Sequence, residues 1–165
     1  MLDHFFCDRS IIQSFINDSK ATNPASAAPA LSAYPPSPVK RVHWIVGGLA
    51  KEDGIGECAE HLGNVKAAYT IGESGPRFAE LLEGDVPVER CELLCEAVNR
   101  AVANAEAGDV VLLSPACASF DQFRDYERRG EHFRQIVGAL TGNDACPDET
   151  SSHETNGKIE GSSAA

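Results

Sequence analysis

Three short polar stretches carry the side chains best suited to binding or chemistry, and each one follows an apolar run. They are residues 17–24, 47–51 and 114–120. Their carboxylate, ammonium and hydroxyl groups are of the kinds that bind anionic ligands or a reacting phosphate. In open α/β sheets, ligands bind beyond the carboxyl ends of the parallel strands, where such loops lie. The sequence therefore predicts a ligand site at that edge of a sheet.

The first stretch, NDSKATNP, alternates an acid, a base and a hydroxyl at Asp18, Lys20 and Thr22. In an extended segment alternate side chains point the same way, so all three would reach into one crevice. A polar turn that leads into a helix explains the same residues. Asn23 is a favourable helix cap and Pro24 suits the first helical position. On this stretch alone, the turn and cap are the slightly favoured interpretation.

The second stretch places Gly47 and Gly48 at a predicted strand end, with Lys51 shortly after them. Two glycines permit a close backbone approach, and the lysine could bind a carboxylate or a phosphate. The GxxxxGK[ST] spacing of an ATP-binding loop is absent. Taken alone, an ordinary turn with a solvated lysine is the better interpretation.

The third stretch breaks a strand at Ser114 and continues through small residues. Ser119 is predicted to cap a short helix with Asp121 in its first turn. The backbone N–H groups of Ser119 and Phe120 at such a helix start could bind a carboxylate. Cys117 has no histidine at a recognisable partner spacing, so we expect it to be structural and not a nucleophile.

The remaining charged residues suggest no further site. The histidines lack metal-ligand spacing; they are His4, His43, His61, His132 and His153. A charged run near the C-terminus is predicted to be a salt-bridged solvated face. It comprises Arg124, Arg128, Arg129 and Arg134 with Asp125, Glu127 and Glu131.

Strands and helices are predicted to alternate along the chain. Short apolar runs predict five strands: one that ends at residues 14–16, and four at residues 42–46, 65–71, 86–88 and 110–113. The strand at 86–88 contains a proline and is predicted at an edge of the sheet, whereas the strand at 110–113 is predicted to be buried on both faces. Helices are predicted from Asn23 to about residue 34, weakly over 55–62, around 78–82, over 93–102 with Gly108 as the stop, from Ser119, and beyond Tyr126. This order predicts a doubly wound α/β sheet, mostly parallel, with helices on both faces.

Composition restricts the class of protein. The chain has 165 residues, enough for one α/β domain, and a net charge of −11 that argues against nucleic-acid binding. No apolar run approaches membrane-spanning length, and the N-terminus lacks the features of a signal peptide. Six cysteines without a CxxC pair favour a reducing compartment, so we expect a cytoplasmic protein. Residues 141–165 are polar and acidic, and we expect a disordered tail.

Three segments together resemble a known family. NDSKATN, WIVGGLAKEDG and LLSPACASFDQFRDYERRGEHF occur in the order found in the C-terminal domain of the Mur ligases that add D-glutamate to UDP-N-acetylmuramoyl-L-alanine, a peptidoglycan precursor. The likeness covers residues 15–140 and leaves residues 1–14 unassigned. It implies a Rossmann-like domain that closes over a central ATPase domain.

The resemblance also implies a chemistry. ATP phosphorylates the alanyl carboxylate, the D-glutamate amine attacks, and a tetrahedral intermediate expels phosphate. D-Glutamate would be held by Thr22, Lys51, Ser119, Phe120 and Tyr126. Lys51 would form an ion pair with a carboxylate, and Thr22 would offer its hydroxyl. The family has phenylalanine at the position of Tyr126.

The same resemblance implies that ATP and magnesium are cofactors. Asp18 and Lys20 would face the nucleotide and the reacting phosphate across the domain cleft, whereas the central domain would bind most of the ATP and Mg²⁺. This chain contains no GK[ST] loop, so we expect a truncated or frame-interrupted product that is inactive alone. The alternatives are a stand-alone binding or docking module for an acidic amino acid and a generic Rossmann-like or receiver-like domain.

Overall fold

The computed structural model describes residues 3–6 and 14–142, and for residues 3–6 only the backbone. The elements are β1 (Asp3–Phe6), β2 (Ser14–Asn17), α1 (Pro24–Ser32), β3 (Val42–Gly47), a 3₁₀ helix (Gly56–Asn64), β4 (Val65–Ile71), α2 (Gly75–Leu82), β5 (Val88–Glu92), α3 (Leu94–Asn104), β6 (Val110–Leu113) and α4 (Tyr126–Thr141). None of the described helices is long and apolar enough to cross a membrane. The tail expected at 141–165 lies outside the described residues from 143 onward.

The strands form one six-stranded sheet in the order β1-β2-β6-β3-β4-β5. The five strands β2, β6, β3, β4 and β5 run parallel, and β1 pairs antiparallel with β2. The predicted doubly wound, mostly parallel α/β fold is confirmed. Strand β1 was not predicted, because the sequence before residue 14 shows no alternation of apolar and polar residues.

Each face of the sheet is covered by its own helices. Crossovers that move along the sheet in one direction lie on one face, because parallel connections are right-handed. The path from β2 through β3 and β4 to β5 therefore places α1, the 3₁₀ helix and α2 on one face, whose core includes Leu31, Trp44 and Phe78. The return from β5 to β6 places α3 on the other face, where α4, which follows β6, also packs, with Leu94 and Phe133 in the core of that face.

Strand β6 contributes to both cores, as the apolar run predicts. Val110 and Leu112 face one core, Val111 and Leu113 face the other, and none is more than 3% exposed. Helix α1 also begins as predicted. Asn23 accepts a hydrogen bond from the Ser26 amide at 2.9 Å, and Pro24 occupies the first helical position.

Several predicted boundaries are wrong. The edge strand runs over Val88–Glu92 and not over 86–88, because Pro87 lacks an amide donor and enters the sheet only as an acceptor for Ala68. Helix α3 ends at Asn104, and Gly108 lies in the following turn with φ +87°. The weak helix at 55–62 is the 3₁₀ helix Gly56–Asn64.

The amino edge of the sheet contains a buried polar network. His43 is 1% exposed and lies 3.0 Å from Asp109 Oδ2 through Nε2 and 2.9 Å from the Tyr69 hydroxyl through Nδ1. Lys66 Nζ reaches the same Asp109 oxygen at 2.8 Å, and the Glu106 amide donates to it at 2.8 Å. A carboxylate acceptor requires a proton on Nε2, and the Tyr69 hydroxyl, which accepts from Asn104 Nδ2 at 3.2 Å, is able to donate its proton to Nδ1 of a neutral imidazole.

The network sets two pKa directions. Burial lowers the pKa of His43 below its usual 6.5, and this outweighs the opposing hydrogen bond to Asp109. Burial alone would raise the pKa of Asp109, but hydrogen bonds from the Glu106 amide, Lys66 and His43 lower it below the usual 3.8.

Stability should therefore decrease as the pH falls below about 6.5, where the histidine of the unfolded chain takes up a proton that folded His43 rejects. The wild-type free energy of unfolding should exceed that of His43→Gln by an amount that shrinks on acidification, at most about 1.4 kcal/mol per pH unit. Urea unfolding between pH 5 and 8 measures this difference. His61→Gln, on the 3₁₀ helix, is the control. If the difference in free energy of unfolding between the wild type and His43→Gln is the same at every pH, the assignment is wrong.

Candidate functional site

The loops that follow three adjacent strands interlock at the carboxyl edge of the sheet. After β2, the Asp18 amide donates to the Leu113 carbonyl of β6 at 2.8 Å. After β6, the Ser114 hydroxyl donates to Asp18 Oδ2 at 2.8 Å. Asp18 is half-buried, and burial raises its pKa, although the Ser114 hydrogen bond opposes that shift. The first and third polar stretches are therefore in direct contact.

The loop after β3 joins the same arrangement. The Gly47 amide donates to Pro115 O at 2.9 Å, and Leu49 and Ala118 exchange two backbone hydrogen bonds of 2.9 Å each. Lys51 follows two residues beyond Leu49 and is exposed. The second polar stretch is thus fixed by its backbone to the third, while its lysine side chain extends into solvent.

A fourth loop, after β4, closes one side of this edge. Asp121 Oδ2 accepts from the Glu73 amide at 2.9 Å. Gly72 has φ +70°, and a Cβ there would lie 2.7 Å from Gly48 Cα and would also overlap the Asp121 carboxylate. Only glycine fits both this backbone conformation and this close contact. The two glycines at 48 and 72 therefore permit the loops to pack directly on each other.

The predicted helix at Ser119 is absent, which corrects the sequence analysis. Ser119 O accepts from the amides of Gln122 and Phe123 at 3.1 and 2.8 Å, a single turn that does not continue. Helix α4 begins only at Tyr126, where the Asp125 side chain accepts from the Arg128 amide at 2.7 Å. The carboxylate of Asp121 is directed to the loop after β4, so it does not support a helix start. No helix N-terminus is available at Ser119 to bind an anion.

The D-glutamate residues suggested by resemblance lie on these loops with different exposure. Ser119 is 2% exposed, whereas the adjacent Phe120 is 69% exposed. Thr22 and Tyr126 are half-buried and Lys51 is exposed. The structure thus brings their loops together but does not bring all the side chains into one pocket.

Lys20 and Tyr126 line a common cavity of about 230 Å³. Its other lining residues are Asn17, Ser19, Glu127, Gly130 and Arg134. The predicted residues at 18, 22, 51, 119 and 120 are not part of this lining. Among the residues that the structure describes, no three His, Cys, Asp or Glu side chains come together as a metal-ligand set.

Arg129 is buried, although it belongs to the charged run predicted to form a solvated face. It is 1% exposed, so the prediction is wrong for this residue. Its Nε donates to Ser19 Oγ at 3.0 Å, Nη2 to Ser19 O at 2.7 Å and Nη1 to Cys117 O at 3.0 Å. Burial lowers the pKa of Arg129 to about 10. Its position four residues before Phe133, on the buried stripe of α4, was the signal that could have located it.

The rest of that charged run is partly exposed, as predicted. Arg134 pairs with Glu131 at 2.8 Å and Arg124 lies 3.8 Å from Asp125. Cys117 is fully buried, in agreement with the structural role expected for it, and burial raises the pKa of its thiol to about 12.

A parallel α/β sheet whose loops interlock at the carboxyl edge defines a Rossmann-like domain. Residues 9–117 match the family described as Mur ligase, glutamate ligase domain. The chain belongs to this Mur ligase family.

The similarity to individual proteins agrees with this family assignment. The chain is 63% identical over 138 residues to the UDP-N-acetylmuramoylalanine--D-glutamate ligase of Novosphingobium aromaticivorans, across 82% of this chain and 30% of that protein. It is 49% identical over 127 residues to the ligase of the same name from Zymomonas mobilis, across 76% of this chain and 28% of that protein. The chain thus spans about 30% of the length of such relatives.

A solved structure also superimposes on the chain. E. coli FolC in complex with DHPP and ADP matches with a TM-score of 0.51 and 27% sequence identity, over 77% of this chain and 29% of that chain. This likeness agrees with the Rossmann-like α/β fold.

Alkylation tests the structural role of Cys117. At pH 8 a thiol of pKa about 12 is ionised in only about one molecule in 10⁴ and is also shielded from reagent, so Cys117 should resist iodoacetamide until the protein unfolds. Half-buried Cys95 is the internal comparison. Peptide-resolved mass spectrometry should show Cys95 modified first, and modification of Cys117 at the same rate in folded protein would contradict the assignment.

Proposed function

We propose that this chain is the D-glutamate-binding domain of the ATP-dependent ligase that adds D-glutamate to UDP-N-acetylmuramoyl-L-alanine during peptidoglycan synthesis in the cytoplasm. The domain occupies residues 15–140, with residues 1–14 and 141–165 outside it. The observation that carries the proposal is the convergence of three loops, those with Asp18 to Thr22, Lys51 and Ser119, at one sheet edge in a chain of this family.

The side chains on these loops suit a small dicarboxylate. The exposed ammonium of Lys51 can form a charge-assisted hydrogen bond with one carboxylate. The hydroxyl of half-buried Thr22 can donate to a carboxylate oxygen, whereas buried Ser119 would act by holding the turn that presents Phe120. Phe120 and Tyr126 supply apolar surface for the methylene groups of the amino acid. The loop contacts hold the backbone of this set in place before the ligand arrives, which lowers the entropic cost of binding.

ATP and Mg²⁺ are assigned differently from D-glutamate. In the proposed reaction, ATP supplies the phosphoryl group that activates the alanyl carboxylate. Asp18 and Lys20 lie at the edge that would face it, and the Lys20 ammonium suits a phosphate. The described residues offer no three-carboxylate or mixed ligand set for the metal. We therefore assign Mg²⁺ and most ATP contacts to the central ATPase domain, the proposed partner, and derive no step through the metal here.

A chimera gives the most direct test. Residues 15–140 of this chain would replace the matching segment of the Novosphingobium ligase, and ATP-dependent release of phosphate would be measured with UDP-N-acetylmuramoyl-L-alanine and D-glutamate. We expect activity with D-glutamate. Lys51→Met should raise KM for D-glutamate about 10- to 100-fold, because one charge-assisted hydrogen bond contributes about 1.5–3 kcal/mol.

Lys40→Met is the matched control, since Lys40 is an exposed lysine just before β3, at the opposite edge of the sheet. It should leave KM unchanged. A folded chimera that is inactive with D-glutamate, or one in which the two lysine variants behave alike, would refute the proposed role.

The 165-residue chain alone should not catalyse ATP-dependent ligation, because it contains no GK[ST] loop to hold the nucleotide. Phosphate release with UDP-N-acetylmuramoyl-L-alanine, D-glutamate, ATP and Mg²⁺ is the measurement, with the chimera as positive control. Turnover by the chain alone would overturn this prediction. Calorimetric titration of the isolated chain with D-glutamate distinguishes the proposed domain from a stand-alone binding module. The domain should bind weakly or not at all without its partner domain, whereas micromolar affinity would favour the module.

A further inference from the structure

One guanidinium joins the two loops that carry most of the proposed site. Arg129 lies on α4, and its nitrogens donate to Ser19 on the loop after β2 and to Cys117 on the loop after β6. Ser19 is the residue between Asp18 and Lys20, and Cys117 is two residues before Ser119. The planar fork of arginine fixes the directions of its N–H groups, so it also fixes the spacing of these two loops.

The chemical nature of the contacts argues against a purely space-filling role. Arg129 is 1% exposed, yet the acceptors around it are two backbone carbonyls and a hydroxyl. Removing a guanidinium from water costs several kcal/mol, and an apolar side chain of similar volume often stabilises such a site as well or better. What an apolar side chain cannot do is hold two carbonyl groups at a set separation. The arrangement therefore stabilises a particular loop geometry.

Other contacts extend this connection on both sides. The Ser19 hydroxyl donates to Tyr126 O at 2.8 Å, and Asn17 Nδ2 donates to Gly130 O at 3.0 Å, so the first turns of α4 are bound to the end of β2 and to the loop after it. On the other side, Cys117 precedes Ala118, which pairs with Leu49 on the loop that leads to Lys51.

Gly130 favours the close approach of α4. A Cβ at this position would lie 3.2 Å from Ser19 Cβ and 3.2 Å from Asn17 Nδ2, so these neighbours would have to shift by a few tenths of an ångström. Glycine avoids that shift directly beside Arg129, which contacts Ser19.

We propose that Arg129 is a positioning residue that sets the loop after β2 and the loop after β6 in one fixed relation. Loss of either contact should loosen both loops together. The consequence for ligand binding rests on the proposed function: the half that faces the nucleotide, with Asp18 and Lys20, would be held in register with the half that binds D-glutamate.

The test uses amide hydrogen exchange and NMR on the full 165-residue chain. Arg129→Lys retains a positive charge but loses the fork. We expect exchange at Asp18 and at Ala118, whose amides donate to Leu113 and Leu49, to accelerate together by about 10-fold. Arg128→Lys is the matched control, since Arg128 is the exposed neighbour on the same helix. It should leave both rates unchanged.

A double-mutant cycle with Ser19→Ala isolates the coupling. In the wild-type background Ser19→Ala should shift the Arg129 Nε–H resonance and accelerate exchange at Ala118. In the Arg129→Lys background the same substitution should add less than about 2-fold, because the connection has already been lost. A structural role without coupling would give independent effects in the two backgrounds.

Three results would overturn the proposal: wild-type exchange at both loops in Arg129→Lys, acceleration at only one loop, or additive effects in the cycle. If circular dichroism shows that Arg129→Lys does not fold, the test uses Ser19→Ala alone. Faster amide exchange confined to residues 17–20 in that variant, with no change at Ala118, would overturn the proposal. None of these readouts uses a ligand. Failure of the Lys51 chimera test would therefore refute the D-glutamate assignment and leave the positioning role of Arg129 standing.

Discussion

The structure depends on β6 forming backbone hydrogen bonds along both edges and apolar contacts on both faces. It enters between β2 and β3, although it follows both in sequence by many residues. Without β6, β2 would have no parallel neighbour and would not be joined to β3 in the sheet. Because β6 is central, the loop that follows it is surrounded by the loops of its neighbours. The position of Ser114 to Ser119 at the centre of the carboxyl edge is thus a result of strand order.

Buried charged groups are stabilised differently at the amino edge and at the carboxyl edge of the sheet. At the amino edge the buried Asp109 carboxylate accepts from Lys66 and His43, so opposite charge and hydrogen bonds stabilise it directly. At the carboxyl edge Arg129 is stabilised by carbonyl dipoles and a hydroxyl, and Asp18 by the Ser114 hydroxyl. Such partners satisfy hydrogen bonds without neutralising charge. The charges of Arg129 and Asp18 at the carboxyl edge are therefore not neutralised by these partners, whereas the charge of Asp109 at the amino edge is paired with Lys66.

What the sequence could predict was local. Helix α1 follows from Asn23 and Pro24, and β6 from an apolar run bounded by Asp109 and Ser114, since these signals act within a few residues. The helix expected at Ser119 failed because the decisive partner of Asp121, the Glu73 amide, is distant in sequence. The helical spacing to Phe133 could have indicated that Arg129 is buried, but not which groups it contacts, because its acceptors lie on two other loops. The order of the loops in space needs the sheet topology, which no local pattern specifies.

The exposure of the candidate side chains follows a division between rigid backbone and free side chain. Ser119 is buried and its neighbours are paired, yet Phe120 beside it is 69% exposed. Lys20 and Lys51 likewise extend from backbones that are held by Ser19 and Leu49. Long side chains on fixed backbone keep their conformational freedom until a ligand orders them, so each lysine loses rotamer entropy on binding while the loops lose little. Under the proposed function, specificity would come from where the backbone holds each group, so substitutions beneath the loops should alter D-glutamate binding as strongly as substitutions of the exposed groups.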